Sequence, residues 1–393
     1  MKPTAQTIYL DSHATTPVDP EVLSEMLPYF TEHFGNGNHK AGWKTNAALE
    51  NARCQVSNLV GARPSEIIFT SGATEAINMA LLGVTNSNST DRNHIVTQKT
   101  EHKAVLETVK VLESKGYKIS MLDVDHQGKI DLNELKKVLT EKTLLVAIML
   151  VNNEVGTIQP IQQIGGLTKS VGAYMFCDLT QALGWYPIDV EKMHIDMAAM
   201  SAHKLYGPRG IGALYLKSGK PGVKIKPILN GGGQERGLRP GTQNIPAIVG
   251  FGKTCEMLQN DGDKTSQKIQ ELRDRMLSRL ESSIDGVRLN GCRHDRHPGN
   301  LNLAIPEIAG EELKELLHEV VFSTSSACSS TSSLPSHVLT ALKVDDEILK
   351  SSFRLGISKY NTPEEIDYVA KRIIEIANKK KASSQSLSLR KSY

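Results

Sequence analysis

The chain has 393 residues, 39% hydrophobic and 23% charged, with a formal net charge of +3. That is a globular profile long enough for two packed domains, and the near-neutral balance argues against a nucleic-acid or polybasic membrane surface. No apolar run approaches a bilayer span, Met1–Leu10 lacks the apolar core of a secretory signal, and the five cysteines are scattered without a C-x-x-C pair. These features lead to the expectation of a cytoplasmic chain without a disulfide framework.

In chain order, Asp19-Pro20 reads as a helix start, with a capping residue followed by proline in the first turn. From Ile67 to Leu216 short apolar runs alternate with amphipathic stretches. The predicted strands are Ile67–Phe69, His94–Thr97, Lys118–Leu122, Leu144–Leu150, Tyr174–Cys177, Met197–Met200 and Gly212–Leu216. Helical patterns at Lys103–Glu113, Leu132–Leu139 and Ile161–Val171 lie between them. The alternation predicts an α/β fold with a mostly parallel sheet and a ligand crevice at the strands' carboxyl ends. Asn230-Gly231-Gly232-Gly233 breaks the pattern. Beyond it come a helix over Thr242–Leu258, a polar helix over Lys264–Leu280 and a strand at Leu301–Ile305. Helices over Leu313–Val320 and Pro363–Ala377 follow, giving a smaller α+β region. From Lys379 the Lys-, Arg- and Ser-rich tail is expected to be disordered.

Four segments carry candidate chemistry. Thr70-Ser71-Gly72-Ala73-Thr74-Glu75 is a small-residue turn entering a helix, which suits a phosphate as well as it suits a plain cap. The strand at Cys177 ends in Asp178, followed by Thr180 and Gln181; taken alone, this is an ordinary turn carboxylate. Lys204 follows another strand among Ser201, His203, Gly207 and Gly210. That setting suits an amine near a phosphate, although most lysines are solvated charges. Cys328 lies in an aperiodic hydroxyl-rich run, Ser323 to Ser333, where an exposed thiol in a reducing compartment points to use.

Together these segments resemble the pyridoxal-phosphate enzymes of aminotransferase class V, over Tyr9 to about Ala377. Within that group the chain is similar to the cysteine desulfurases of the iron–sulfur cluster and nitrogenase-maturation type. The resemblance is carried by Leu10-Asp11 with Ala14-Thr15-Thr16-Pro17, Phe69 to Glu75, Thr100-Glu101-His102-Lys103 and Val151 to Gly156. It continues through Asp178 to Gln181, Ser201 to Lys204, Gly231 to Arg236 and Pro240-Gly241-Thr242. It implies the type I fold of these transferases, with a seven-stranded large-domain sheet. The implied domains are an N-terminal segment 1–16 joining the small domain, a cofactor domain 17–259, a small domain 260–378 with the Cys loop, and a tail 379–393.

The resemblance also assigns roles. Lys204 would hold the cofactor aldehyde covalently, Asp178 would pair with the ring nitrogen and His102 would stack on the ring. Asn153 and Gln181 would lie by the ring hydroxyl. Ala73, Thr74, Ser201 and His203 would surround the phosphate, and Thr242 would reach the phosphate of the second subunit in a homodimer. Arg354 would grip the carboxylate of L-cysteine, with Asn153 beside it, and Cys328 would receive the sulfur for a downstream acceptor protein. The chemistry is apt, because a carboxylate about 4 Å from a ring nitrogen contributes roughly 4 kcal/mol at an effective dielectric near 20 and keeps it protonated.

Departures from the family pattern fall at Asn36-Gly37-Asn38-His39, at Ser325-Ser326-Ala327 before Cys328, and in the lack of a tryptophan-bearing C-terminal extension. These leave the acceptor open. The rival readings are a selenocysteine lyase, which shares the cofactor residues, a class V aminotransferase, for which Cys328 would have no use, and a silent scaffold, which would not need Lys204, Asp178 and His102. Cys292, His294 and His297 lack a fourth zinc ligand, and no G-x-G-x-x-G follows a predicted strand.

Overall fold

Aliphatic runs between residues 67 and 216 form one seven-stranded sheet in the computed structural model, which describes residues 7–35, 42–219, 222–324 and 335–391. The spatial order is Ile67–Thr70, Gly212–Leu216, Met197–Ser201, Tyr174–Asp178, Thr143–Ala147, His94–Gln98 and Lys118–Leu122. Gly212–Leu216 runs antiparallel to both neighbours, and the other pairings are parallel. The predicted strand Leu144–Leu150 is shorter, ending at Ala147, although the Ile148 and Leu150 N–H groups still donate to the carbonyls of Phe176 and Asp178 (both 3.1 Å).

Side chains alternate across this sheet as the two-residue period requires. Ile67, Phe69, Ala198 and Met200 enter a core shared with helices Trp43–Leu59, Ile161–Ser170 and the first part of Ile245–Ser283. Ile68, Met197 and Ala199 enter the opposite core, under helices Ala73–Ser87 and Lys103–Ser114. Both faces are covered, which is why these strands read as continuous apolar runs.

A third core gathers Leu10, Ile269, Leu280, Leu301, Phe353 and Ile373 around a four-stranded antiparallel sheet. Its order is Ser323–Thr324, Ser352–Gly356, Asn300–Ala304 and Arg288–Leu289. The strand Ile8–Tyr9 pairs with Val320–Val321, so residues expected in a helix over Leu313–Val320 divide between a helix, Gly310–Leu316, and this strand. Gly156, at φ 71°, lets the loop after Val151 press against this unit, since a Cβ there would lie 2.7 Å from Asn300.

Two further expectations change. The helices over Thr242–Leu258 and Lys264–Leu280 are one helix, Ile245–Ser283, of 39 residues. The tail from Lys379 continues the last helix, Pro363–Lys391. Its buried Ile366–Ala377 face nucleates the helix, Lys379 to Ala382 extend it as good helix formers, and Lys380 and Lys381 reach Glu312 (2.5 Å) and Asp285 (2.9 Å).

The glycine-rich segment is pinned by a buried ion pair. Glu235, left-handed at φ 45°, takes both arms of the Arg53 guanidinium (2.8 and 2.9 Å) and the Phe69 N–H (2.8 Å). Removing Arg53 leaves the Glu235 charge buried with neutral partners only, whereas removing Glu235 leaves Arg53 its ion pair with Glu50 (3.2 Å). Arg53→Ala is therefore expected to cost about 3–5 kcal/mol, read as a lower denaturation midpoint, with Glu235→Ala costing less and the double variant far from additive.

Candidate active site

The carboxyl ends of five strands supply one cavity of about 590 Å³. Ala73, Thr74, His102, Asn153, Asp178, Gln181, Ser201, His203 and Lys204 all line it, as do Thr15, Met149, Thr180 and Arg209. Nine of the residues singled out in the sequence are thus brought together from segments 73 to 204.

At one end the helix Ala73–Ser87 begins at Gly72 without a side-chain cap. The Glu75 carboxylate instead accepts the Ser71 N–H (2.6 Å) and the Arg239 Nε–H (2.9 Å), tying this turn to the glycine-rich segment. Gly212 permits the close approach of the neighbouring strand, because a Cβ there would lie 2.7 Å from Gly72. An uncapped helix start with Ser201, His203 and Arg209 in the same lining has the chemistry that suits a phosphate.

The segment His13–Thr16 braces the lysine turn. Lys204 Nζ donates to the His13 carbonyl (2.6 Å), and Thr16 N donates to the His203 carbonyl (2.8 Å). His203 Nδ1 meets Thr15 Oγ1 (3.1 Å). Burial, then the charges of Lys204 and Arg209, push the His203 pKa down to about 4, so this imidazole is neutral at physiological pH.

At the other end Asp178 is buried and accepts the Thr180 N–H (2.9 Å) through Oδ1. The Gln181 side chain is spent on His13: Nε2 donates to its carbonyl and Oε1 accepts from its Nδ1, both at 3.0 Å. His13 Nε2 is then a buried acceptor with no partner among the described residues, and the ring lies edge-on to His297 at 4.6 Å. His102 caps the helix Lys103–Ser114, its Nδ1 accepting the Ala104 N–H (3.1 Å), which puts the proton of the neutral ring on Nε2. Burial lowers its pKa, with Asp178 opposing and Lys204 adding to the shift.

Two of the sequence's described candidates are not in the cavity lining. Arg354 sits behind Asn153, donating to its carbonyl (3.0 Å) and to Asp11 (2.7 Å). Thr242 is exposed beside the glycine-rich segment. Cys328 lies outside the described residues, as do Asn36 to His39. Of the described cysteines none lines the cavity, and burial raises the thiol pKa of Cys177 and Cys255.

Sequence reasoning gave no role to Glu101. Its Oε1 accepts the Met149 N–H (2.6 Å) and the Gln98 amide (2.7 Å), while Oε2 is buried without a partner among the described residues. Its position before His102 was the only signal.

A class V aminotransferase model matches residues 8–369. The chain belongs to the class V aminotransferase family. It is 44% identical over 375 residues to the cysteine desulfurase IscS of Anaeromyxobacter sp. strain Fw109-5, covering 95% of this chain and 93% of that protein. The cysteine desulfurase IscS of Rickettsia bellii is also 44% identical, with 95% and 91% coverage. Among solved structures, a NifS-like protein superposes with a TM-score of 0.88 at 39% identity, covering 95% of this chain and 99% of its own. SspA in complex with cysteine gives 0.80 at 33% identity, with 91% and 100% coverage.

The cofactor of this class V enzyme is pyridoxal 5'-phosphate, and the cavity's own chemistry fits it. Arg209, Ser201 and the uncapped helix start after Gly72 suit a phosphate, and the same lining holds the Lys204 amine and the buried Asp178 carboxylate. The orphaned Thr180 hydroxyl there adds an unused polar group.

Burial pushes the Glu101 pKa up to about 8, and the charge of Asp178 adds to the shift. The folded state thus holds this proton where an unfolded Glu has lost it, so the contribution is complete below about pH 4.5 and disappears as pH rises towards 8. Glu101→Gln, neutral at every pH, is expected to gain stability relative to the parent between pH 5 and 8.5, by a few kcal/mol at most. Thermal midpoints across that range test this, and a constant offset would show that Glu101 is ionised throughout.

Proposed function

We propose that the chain is a cysteine desulfurase that moves the sulfur of L-cysteine onto Cys328 and releases L-alanine. The observation that carries the reading is the convergence of Lys204, Asp178, His102 and an uncapped helix start on one cavity, in a chain 44% identical to named cysteine desulfurases. Bound pyridoxal phosphate supplies an electron-withdrawing ring that stabilises negative charge at the substrate's α-carbon.

The protein's residues do the rest. Ser201, His203, Thr74 and the N–H groups after Gly72 would hold the phosphate, and Asp178 would hold positive charge at the ring nitrogen. Lys204 would anchor the cofactor covalently, and its amine, when free, would serve as the base for the substrate's α-proton. His102, neutral with its proton on Nε2, offers that N–H as a hydrogen-bond donor in the cavity. Arg354 receives the substrate carboxylate, and the Cys328 thiolate attacks the substrate sulfur. The balance closes without an external oxidant. The substrate C–S bond breaks, an S–S bond forms on Cys328, and the carbon that lost sulfur gains a proton to become the alanine methyl.

The persulfide then passes to an acceptor protein, for iron–sulfur cluster assembly or other sulfur delivery such as tRNA thiolation. A thiol used this way needs a reducing compartment, which supports a cytoplasmic site. Among the described residues no helix is long and apolar enough to cross a membrane.

The test uses two variants. Lys204→Ala should bind pyridoxal phosphate without covalent fixation by borohydride. Cys328→Ala should keep the cofactor and the spectral response to cysteine, yet release no alanine from it. Alanine at the parental rate would remove Cys328 from the mechanism, and turnover of selenocysteine alone would favour a selenocysteine lyase.

We also propose a two-fold homodimer. Leu23, Leu27 and Phe30, at i, i+4 and i+7 along Pro20–Thr31, present one apolar face to solvent, with Phe34 (78% exposed) and Trp43 (67%) close by in sequence. Thr242 is exposed too, as a residue reaching a second subunit's phosphate must be. Leu27→Asp combined with Phe30→Asp should halve the mass seen by light scattering and loosen cofactor binding; unchanged mass would place the interface elsewhere.

A further inference from the structure

Arg354 lies in the middle of the strand Ser352–Gly356 and is buried. Nη1 donates to the Asn153 carbonyl (3.0 Å), and Nη2 donates to Asp11 Oδ1 (2.7 Å) and Ser323 Oγ (3.1 Å). The Ser323 hydroxyl in turn donates to Asp11 Oδ2 (3.0 Å). Nε–H has no acceptor among the described residues and is shut off from solvent. A buried charged donor with no partner is costly unless a ligand supplies one, and a carboxylate is the group that fits a guanidinium edge.

Asp11 cannot easily withdraw. Its backbone bridges to Gly356, with Gly356 N donating to the Leu10 carbonyl (2.7 Å) and Ser12 N to the Gly356 carbonyl (3.2 Å). With both Nη2 N–H groups already committed, a substrate carboxylate admitted to Nε–H would have to share Nη2 with Asp11 and Ser323, and so would lie beside a second carboxylate on the same guanidinium. Like charges at that range oppose one another, and the arginine's charge is shared between them.

We infer that Asp11 is a positioning residue that holds Arg354 in place and weakens its grip on carboxylate ligands. This rests on the reading above in which Arg354 receives the substrate carboxylate. The reason for such a device lies in the reaction. The carboxylate is common to cysteine and alanine, so binding energy spent on it is uniform and does not speed the chemical step. Tight binding there would instead retain the product.

The experiment compares L-alanine with ethylamine, which is alanine without its carboxylate, by titrating the cofactor absorbance of the holoenzyme. In Asp11→Asn the affinity for alanine should rise roughly tenfold, the order expected when a like charge is removed a few ångströms away in a partly screened site. The affinity for ethylamine should not change. Asp11→Ser should shift alanine in the same direction and guards against a folding defect peculiar to one replacement. Arg354→Gln should bring the two ligands to similar affinities. If Arg354→Gln leaves the preference for alanine intact, the assignment of Arg354 fails. If it erases the preference while both Asp11 variants bind alanine unchanged or more weakly, Asp11 merely props up Arg354 and the inference is overturned.

Discussion

The His13 carbonyl is the point on which the cavity depends. It accepts the Lys204 ammonium and the Gln181 amide together, at 2.6 and 3.0 Å. A main-chain oxygen carries no side-chain rotamer freedom, so a reactive amine held by it is placed as accurately as the backbone itself. That backbone is fixed in turn from both sides. Asp11 is bridged to the small unit's sheet, and Thr16 and Asp19 are hydrogen-bonded to the His203 and Tyr206 carbonyls. The N-terminal segment is thus the clasp between a strand end of the large sheet and the second core.

Around that clasp the charges are sorted by burial. Histidines that face cations are kept neutral, His203 at about 4 and His297, pushed down by burial and by Arg273 and Arg296, at about 3. Glu101 is kept protonated close to Asp178. Suppressing charge at these neighbours leaves Lys204, Arg209, Asp178 and Glu75, the last paired with Arg239, as charged groups of the cavity lining. A zwitterionic, phosphate-bearing ligand thus meets groups of both signs within one cavity.

Much of this was legible in the sequence because the residues concerned sit at strand ends, where apolar runs stop at a small or polar residue. Thr70 to Glu75, Asp178 and Lys204 each follow such a run, and the parallel α/β order puts those ends on one edge. What escaped notice depends on distance along the chain or on environment. The pairing of Asp11 with Arg354 spans 343 positions. The protonation of Glu101 comes from burial, which no spacing reveals. Gln259 to Asp263 looked like a break because Asn, Asp and Gly favour turns. Gly262 instead packs inside the long helix, where a Cβ would lie 3.0 Å from the Gly184 carbonyl.

That helix has a mechanical consequence. At 1.5 Å per residue its 39 residues extend for about 58 Å, with the first half buried in one core and the second half in another. A single hydrogen-bonded rod shared by two cores acts as a common spine. Bending it breaks backbone bonds, whereas twisting about its axis breaks none. The easiest relative motion open to the two halves is therefore a torsional one about the axis of that helix.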